Sequence, residues 1–106
     1  MQGRDSVRAV IAGKDRPGIV IEVEPDLVRV AYGTRAEHPW PSVTVNPDSR
    51  TGRALGVTEV TRFYGANVEW LPCASVTLVG RQVPRDLLEA VVIAISRHDV
   101  TVRTLR

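Results

Sequence analysis

The chain has 106 residues, of which 43% are apolar and 25% charged, the size and composition of one modest globular domain spanning 1–106. No stretch approaches the roughly 20 continuous apolar residues of a membrane-spanning helix, and no apolar run follows Met1–Asp5 as in a secretory signal, so a cytoplasmic protein is expected. Cys73 stands alone, which excludes an internal disulfide framework and a multi-cysteine metal centre, while the net charge of +2 does not by itself demand a nucleic-acid partner.

Val7–Ile11 reads as a strand, and Ala12-Gly13-Lys14-Asp15 as the turn after it. Gly18–Val23 is rich in β-branched residues and reads as a central strand. Pro25 cannot continue a ladder, so Glu24-Pro25-Asp26 is a turn, and Leu27–Tyr32 forms a hairpin with the strand before it. The segment from Gly33 to Pro41 is a loop, Ser42–Val45 a short strand, and Asn46–Arg53 a polar loop. Thr58–Tyr64 and Asn67–Leu71 read as strands on either side of Gly65-Ala66. Pro84 then opens a helix over Arg85–Ser96, with Asp86 and Glu89 early and Arg97 at the end, the order that the helix dipole prefers. Leu87, Leu88, Val91, Val92 and Ile95 give this helix a wide apolar face, fit to cross an open barrel or to join a second copy. His98–Leu105 is read as a last edge strand. Many short strands, Gly/Pro turns and one late helix describe a small, strongly bent antiparallel barrel, mainly β with one C-terminal helix.

The segment Lys14-Asp15-Arg16-Pro17-Gly18 carries the first candidate site. Pro17 fixes its own φ and pushes Arg16 out of the α region, so a guanidinium stands at the rigid mouth of a strand, where its planar fork suits a phosphate or carboxylate. A solvated loop arginine beside a turn proline is the plainer reading of the same residues. The next strand ends in Tyr32-Gly33-Thr34-Arg35, so a hydroxyl and a second guanidinium face the same site if the two strands pair. One lysine against thirteen arginines favours phosphate contacts, and a GC-rich genome produces the same bias. Tyr64 and Trp40 are candidates for stacking on splayed bases or for packing, and Arg35, Arg50, Arg53 and Arg62 for a phosphate track.

The order of these pieces resembles a known family. Lys14-Asp15-Arg16-Pro17-Gly18-Ile19-Val20-Ile21, then Val28–Gly33 running into Thr34, then Leu78-Val79-Gly80-Arg81 before an apolar helix, is similar to the PemK/MazF toxins of type II toxin–antitoxin pairs. Ala54–Thr58 leading to Thr61-Arg62-Phe63-Tyr64 and Asn67-Val68 is similar to one branch of that family. The resemblance implies an SH3-like barrel, usually a homodimer. It also implies an endoribonuclease that cuts single-stranded mRNA at short sequences without metal or other cofactor, and an antitoxin protein that covers the RNA groove. It carries the family's active-site arginine and threonine over to Arg16 and Thr34, with Lys14, Arg35, Arg50, Arg53, Arg62 and Tyr64 as RNA-binding residues.

The implied chemistry suits these residue types. The 2′-OH of the RNA is the nucleophile, so the protein has to orient it, stabilise charge on the non-bridging oxygens and see the 5′-oxygen protonated. The family's acidic residue in a late Cys-Asp-Gln segment has no aligned counterpart in Val68-Glu69-Trp70-Leu71-Pro72-Cys73, which leaves the general acid and base unassigned. The alternative reading is a catalytically inactive barrel of the same ancestry that binds protein or nucleic acid.

Overall fold

A computed structural model describes residues 1–105. β1 (Asp5–Ile11) and β2 (Lys14–Val23) form a hairpin whose loop is only Ala12-Gly13, both at positive φ (53° and 77°). Such a two-residue loop has the twist of the strands it joins and fixes the register, pairing Ile11 with Lys14, Ala9 with Arg16 and Arg8 with Pro17. β2 therefore begins at Lys14, and Arg16 lies inside the ladder rather than ahead of it. β3 (Leu27–Tyr32) pairs with β2, placing Gly18 opposite Tyr32.

β4 (Ser42–Val45) is followed by a helix in the segment read as a polar loop: α1 (Arg50–Leu55). Its ends explain it. The Ser49 hydroxyl accepts from Gly52 N–H at 3.0 Å, and Gly56 closes the helix in the left-handed conformation (φ 69°). β5 (Thr61–Tyr64) and β6 (Val68–Pro72) come next, then a 3₁₀ turn over Cys73–Ser75 and β7 (Val76–Gln82). α2 covers Arg85–Leu105 in one piece, so the expected edge strand over His98–Leu105 is corrected: those residues continue the helix.

Five strands make one antiparallel sheet in the order β6-β3-β2-β1-β7, and β4 pairs with β5 in a second. The sheet is not closed into a barrel, which corrects the strongly bent barrel the sequence suggests, because β6 and β7 are its two edges. Only the turn Cys73–Ser75 separates those edges along the chain, so the sheet has to coil until its opposite margins meet one short link. Val7, Ala9, Ile11, Val20, Val28, Val30 and Val76 fill the core of that coil. The other core unites Ile19, Ala31, Val45, Leu55, Phe63 and Val83 with Leu87, Val91 and Ile95 of α2, at the spacing of one helical face. Burying each such side chain is worth about 1.5–3 kcal/mol, which is what holds α2 against β4 and β5.

The two sheets meet at one crossing point. Beyond β3, Thr34 leaves its neighbours and pairs with Arg62 of β5, exchanging backbone hydrogen bonds of 2.9 and 2.7 Å. Gly33 permits the crossing, because a Cβ there would strike the Thr61 methyl group and the Phe63 ring.

Candidate functional site

The crossing point opens a cleft of about 390 Å³ between the start of β2, the segment after β3 and the loop after α1. Lys14, Asp15, Arg16 and Pro17 line one side, Gly33, Thr34, Arg35 and Ala36 another, and Gly56–Glu59 with Thr61 close the third. Arg8 enters from β1. The β2–β3 register explains the meeting of the first two segments. Gly18 stands opposite Tyr32, and Gly33 N–H donates to Pro17 C=O at 2.8 Å, so continuing the ladder sets Arg16 across from Thr34.

Arg16 is half-buried. Its Nε donates to Ile11 C=O at 3.2 Å, and its guanidinium carbon lies 5.6 Å from the centre of the Tyr32 ring. That ring anchors the cation through its π face. Burial raises the Tyr32 hydroxyl pKa above the ordinary tyrosine value, the charge of Glu69 adds to the rise, and Arg16 offsets part of it. The backbone contact uses only the Nε–H of Arg16, leaving the two terminal amino groups to form a fork toward a ligand. Thr34 Oγ1 accepts from Ala36 N–H at 3.2 Å, which keeps the hydroxyl proton for an outside acceptor.

Charge in the cleft is unbalanced toward the cationic side. Asp15 is paired with Arg8 at 3.0 Å and Glu59 with Arg35 at 3.0 Å, so both lining carboxylates are already engaged. No described carboxylate stands at ion-pairing distance from Lys14 or Arg16. An anion that brings its own negative charge suits such a surface. Among the described residues no group of three or more His, Cys, Asp or Glu side chains is arranged to hold a metal ion.

Of the residues singled out in the sequence, Lys14, Arg16, Thr34 and Arg35 come together in this cleft. Arg50 and Arg53 do not. They lie exposed on α1, where the Arg53 guanidinium is bound to Asp48 C=O. Arg62 holds a loop, donating to Arg35 C=O at 2.9 Å with Glu37 at 3.8 Å. Tyr64 is 1% exposed, donates its hydroxyl proton to Ala36 C=O at 2.8 Å and accepts from His38 N–H at 2.6 Å. Its ring is in the core and offers no face to a base. Arg8 and Glu59 are members of the cleft that the sequence reading missed. For Arg8 a signal existed: the Ala12-Gly13 loop sets a register in which Arg8 is the diagonal neighbour of Asp15. Glu59 arrives through the excursion from β4 to β5, which no local pattern announces.

Compared with known proteins, the chain matches no protein-family model and no curated protein sequence.

Proposed function

We propose that the cleft binds single-stranded RNA and cuts it, so that the protein is an endoribonuclease of the PemK/MazF kind, the toxin of a type II toxin–antitoxin pair. The observation that carries this reading is the convergence of Arg16, from β2, and Thr34, from the segment after β3, in one cleft whose surplus charge is positive. A phosphodiester lying there meets the Arg16 fork at its non-bridging oxygens and the Thr34 proton at one of them. Lys14 adds a second cation at the same wall.

The reaction needs no nucleophile from the protein. The RNA 2′-oxygen attacks phosphorus, the bond to the 5′-oxygen breaks, and a 2′,3′-cyclic phosphate and a 5′-hydroxyl result. The 2′-OH proton passes to a base while the departing 5′-oxygen takes one up. Asp15 and Glu59 are the carboxylates that line the cleft, each ion-paired to an arginine, and Asp15→Asn and Glu59→Gln test whether either takes part. The same reading brings two partners: an antitoxin protein that covers the cleft, and a second copy of the chain against the exposed Val92 and Ile93 of α2.

The experiment is cleavage of a long single-stranded RNA by purified protein in the presence of a chelator, with Arg16→Ala alongside. Cuts at a short recurring sequence that slow by about 10²–10³-fold in Arg16→Ala are expected. No cleavage across the pH range overturns the nuclease reading. It leaves a non-catalytic binding module, for which the cationic side of the cleft already suffices.

A further inference from the structure

Beside the cleft stands an aromatic arrangement that cleavage chemistry does not use. The rings of His38 and Trp40 are stacked, 4.2 Å between centroids and 18° from parallel, and both meet the Tyr64 ring edge-on, at 5.3 and 5.7 Å. Trp40 is nevertheless 48% exposed, and His38 is exposed too. Two stacked rings turned toward water leave apolar surface that a packing role alone would have covered.

The loop that carries them is held from several sides. Tyr64 Oη bonds both Ala36 C=O and His38 N–H, Arg62 bonds Arg35 C=O, and Gly65 N–H donates to Pro41 C=O at 3.0 Å. Pro39 and Pro41 flank Trp40 and restrict the backbone on both sides of it. The platform is thus ordered before any ligand arrives, so little conformational entropy is lost when one binds. It is also continuous with the cationic wall. Arg35 and Ala36 line the cleft, and Trp40 follows Ala36 by four residues, at most about 14 Å of chain.

From this we infer that the His38–Trp40 stack is a subsite for one unpaired base of the RNA strand whose phosphate occupies the cleft. The inference rests on the reading of the cleft as an RNA site and adds where the neighbouring base goes. A flat ring continues the stack on Trp40, and every base has a π face to offer, so the subsite selects for single strands rather than for sequence. A paired base, already stacked in its own helix, cannot enter.

The chain has two tryptophans, so Trp70→Phe leaves Trp40 as the sole indole reporter. The probe is a single-stranded 2′-O-methyl RNA of mixed sequence, which cannot react through its 2′-oxygen, compared with the same strand in a duplex. Labelled oligonucleotide anisotropy reads binding, and Trp40 emission reads the subsite. Saturating single strand is expected to change Trp40 emission, and the duplex to leave it unchanged. Trp40→Ala should weaken binding about tenfold or more while Trp40→Phe restores most of it. Thermal unfolding shows that both variants remain folded. Binding by anisotropy with constant Trp40 emission, or with Trp40→Ala equal to its parent, overturns the subsite. So does the absence of binding. Cleavage of natural RNA that is insensitive to Trp40→Ala overturns the subsite and spares the nuclease, whereas a Trp40 response without any cleavage does the reverse.

Discussion

At the residue scale, Arg16 owes its geometry to three neighbours: Pro17 after it, Ile11 C=O against its Nε, and the Tyr32 ring beneath its guanidinium. Tyr32 in turn carries a titration that can be read. Burial raises its pKa, so the folded state resists ionising a tyrosine that the unfolded chain ionises at about pH 10. Its contribution to stability is complete below that pH and is lost as pH climbs through the raised folded value. Urea midpoints measured from about pH 8 to about pH 11 should fall less steeply in Tyr32→Phe than in the parent protein. Equal slopes would mean that Tyr32 ionises as freely in the fold as out of it. The same substitution keeps the aromatic face under Arg16, so the proposed RNA cleavage should persist in Tyr32→Phe and drop in Tyr32→Leu.

At the element scale, glycine decides how closely the pieces approach. A Cβ at Gly33 would meet the Thr61 methyl group and the Phe63 ring, both side chains, and Gly33→Ala should cost about 1–3 kcal/mol through local overpacking. A Cβ at Gly65 would meet Ala94 C=O and Ile95 N, which are backbone atoms of α2 and can move only with the helix. Gly65→Ala should therefore be the more damaging. Thermal unfolding orders them, at roughly 4–8 °C for each kcal/mol in a domain of this size. These elements also differ in how far they could be read beforehand. β3 and β4 match their expected bounds because polar turns flank β-branched runs. β7 escaped because only Val76 of its seven residues is buried, so its outer face shows none of the alternation that marks a half-buried strand. The last turns of α2 were mistaken because Val100 and Val102 alternate with polar residues as in a strand, while the helix they continue is fixed by packing further upstream. α1 left only its caps, Ser49 and Gly56, as a trace. In the cleft, the place of Arg16 was legible from Pro17 beside it, and that of Thr34 only on the condition that β2 and β3 pair, which they do. Arg8 and Glu59 depend on register and on a long excursion, and Tyr64 was misplaced because nothing local separates a stacking aromatic from a core one.

At the scale of the whole molecule, the net charge of +2 is small, and what matters is its placement. Among the described residues no helix is long and apolar enough to cross a membrane. The proposed binding to single-stranded RNA should weaken with salt, with a slope of about 0.7 in log–log terms for each phosphate neutralised. Lys14→Ala should reduce that slope by about one such step, while Arg50→Ala, on exposed α1 away from the cleft, should leave it unchanged. Anisotropy titrations at several salt concentrations test both, and a slope that responds equally to the two substitutions would spread the binding surface beyond the cleft.

The close approach of Gly65 to α2 reaches further than stability. Gly65 follows Tyr64, whose hydroxyl holds Ala36 and His38, its own N–H bonds Pro41 C=O, and Pro41 lines one groove with the exposed Val92 and Ile93 of the same helix. A molecule that settles in that groove and shifts the helix would push on the strand end from which the aromatic loop hangs. Any such linkage would run in both directions: occupancy of the loop would alter affinity at the groove by the same factor that occupancy of the groove alters affinity at the loop. A residue with no side chain thus sets how closely the aromatic loop and α2 are tied.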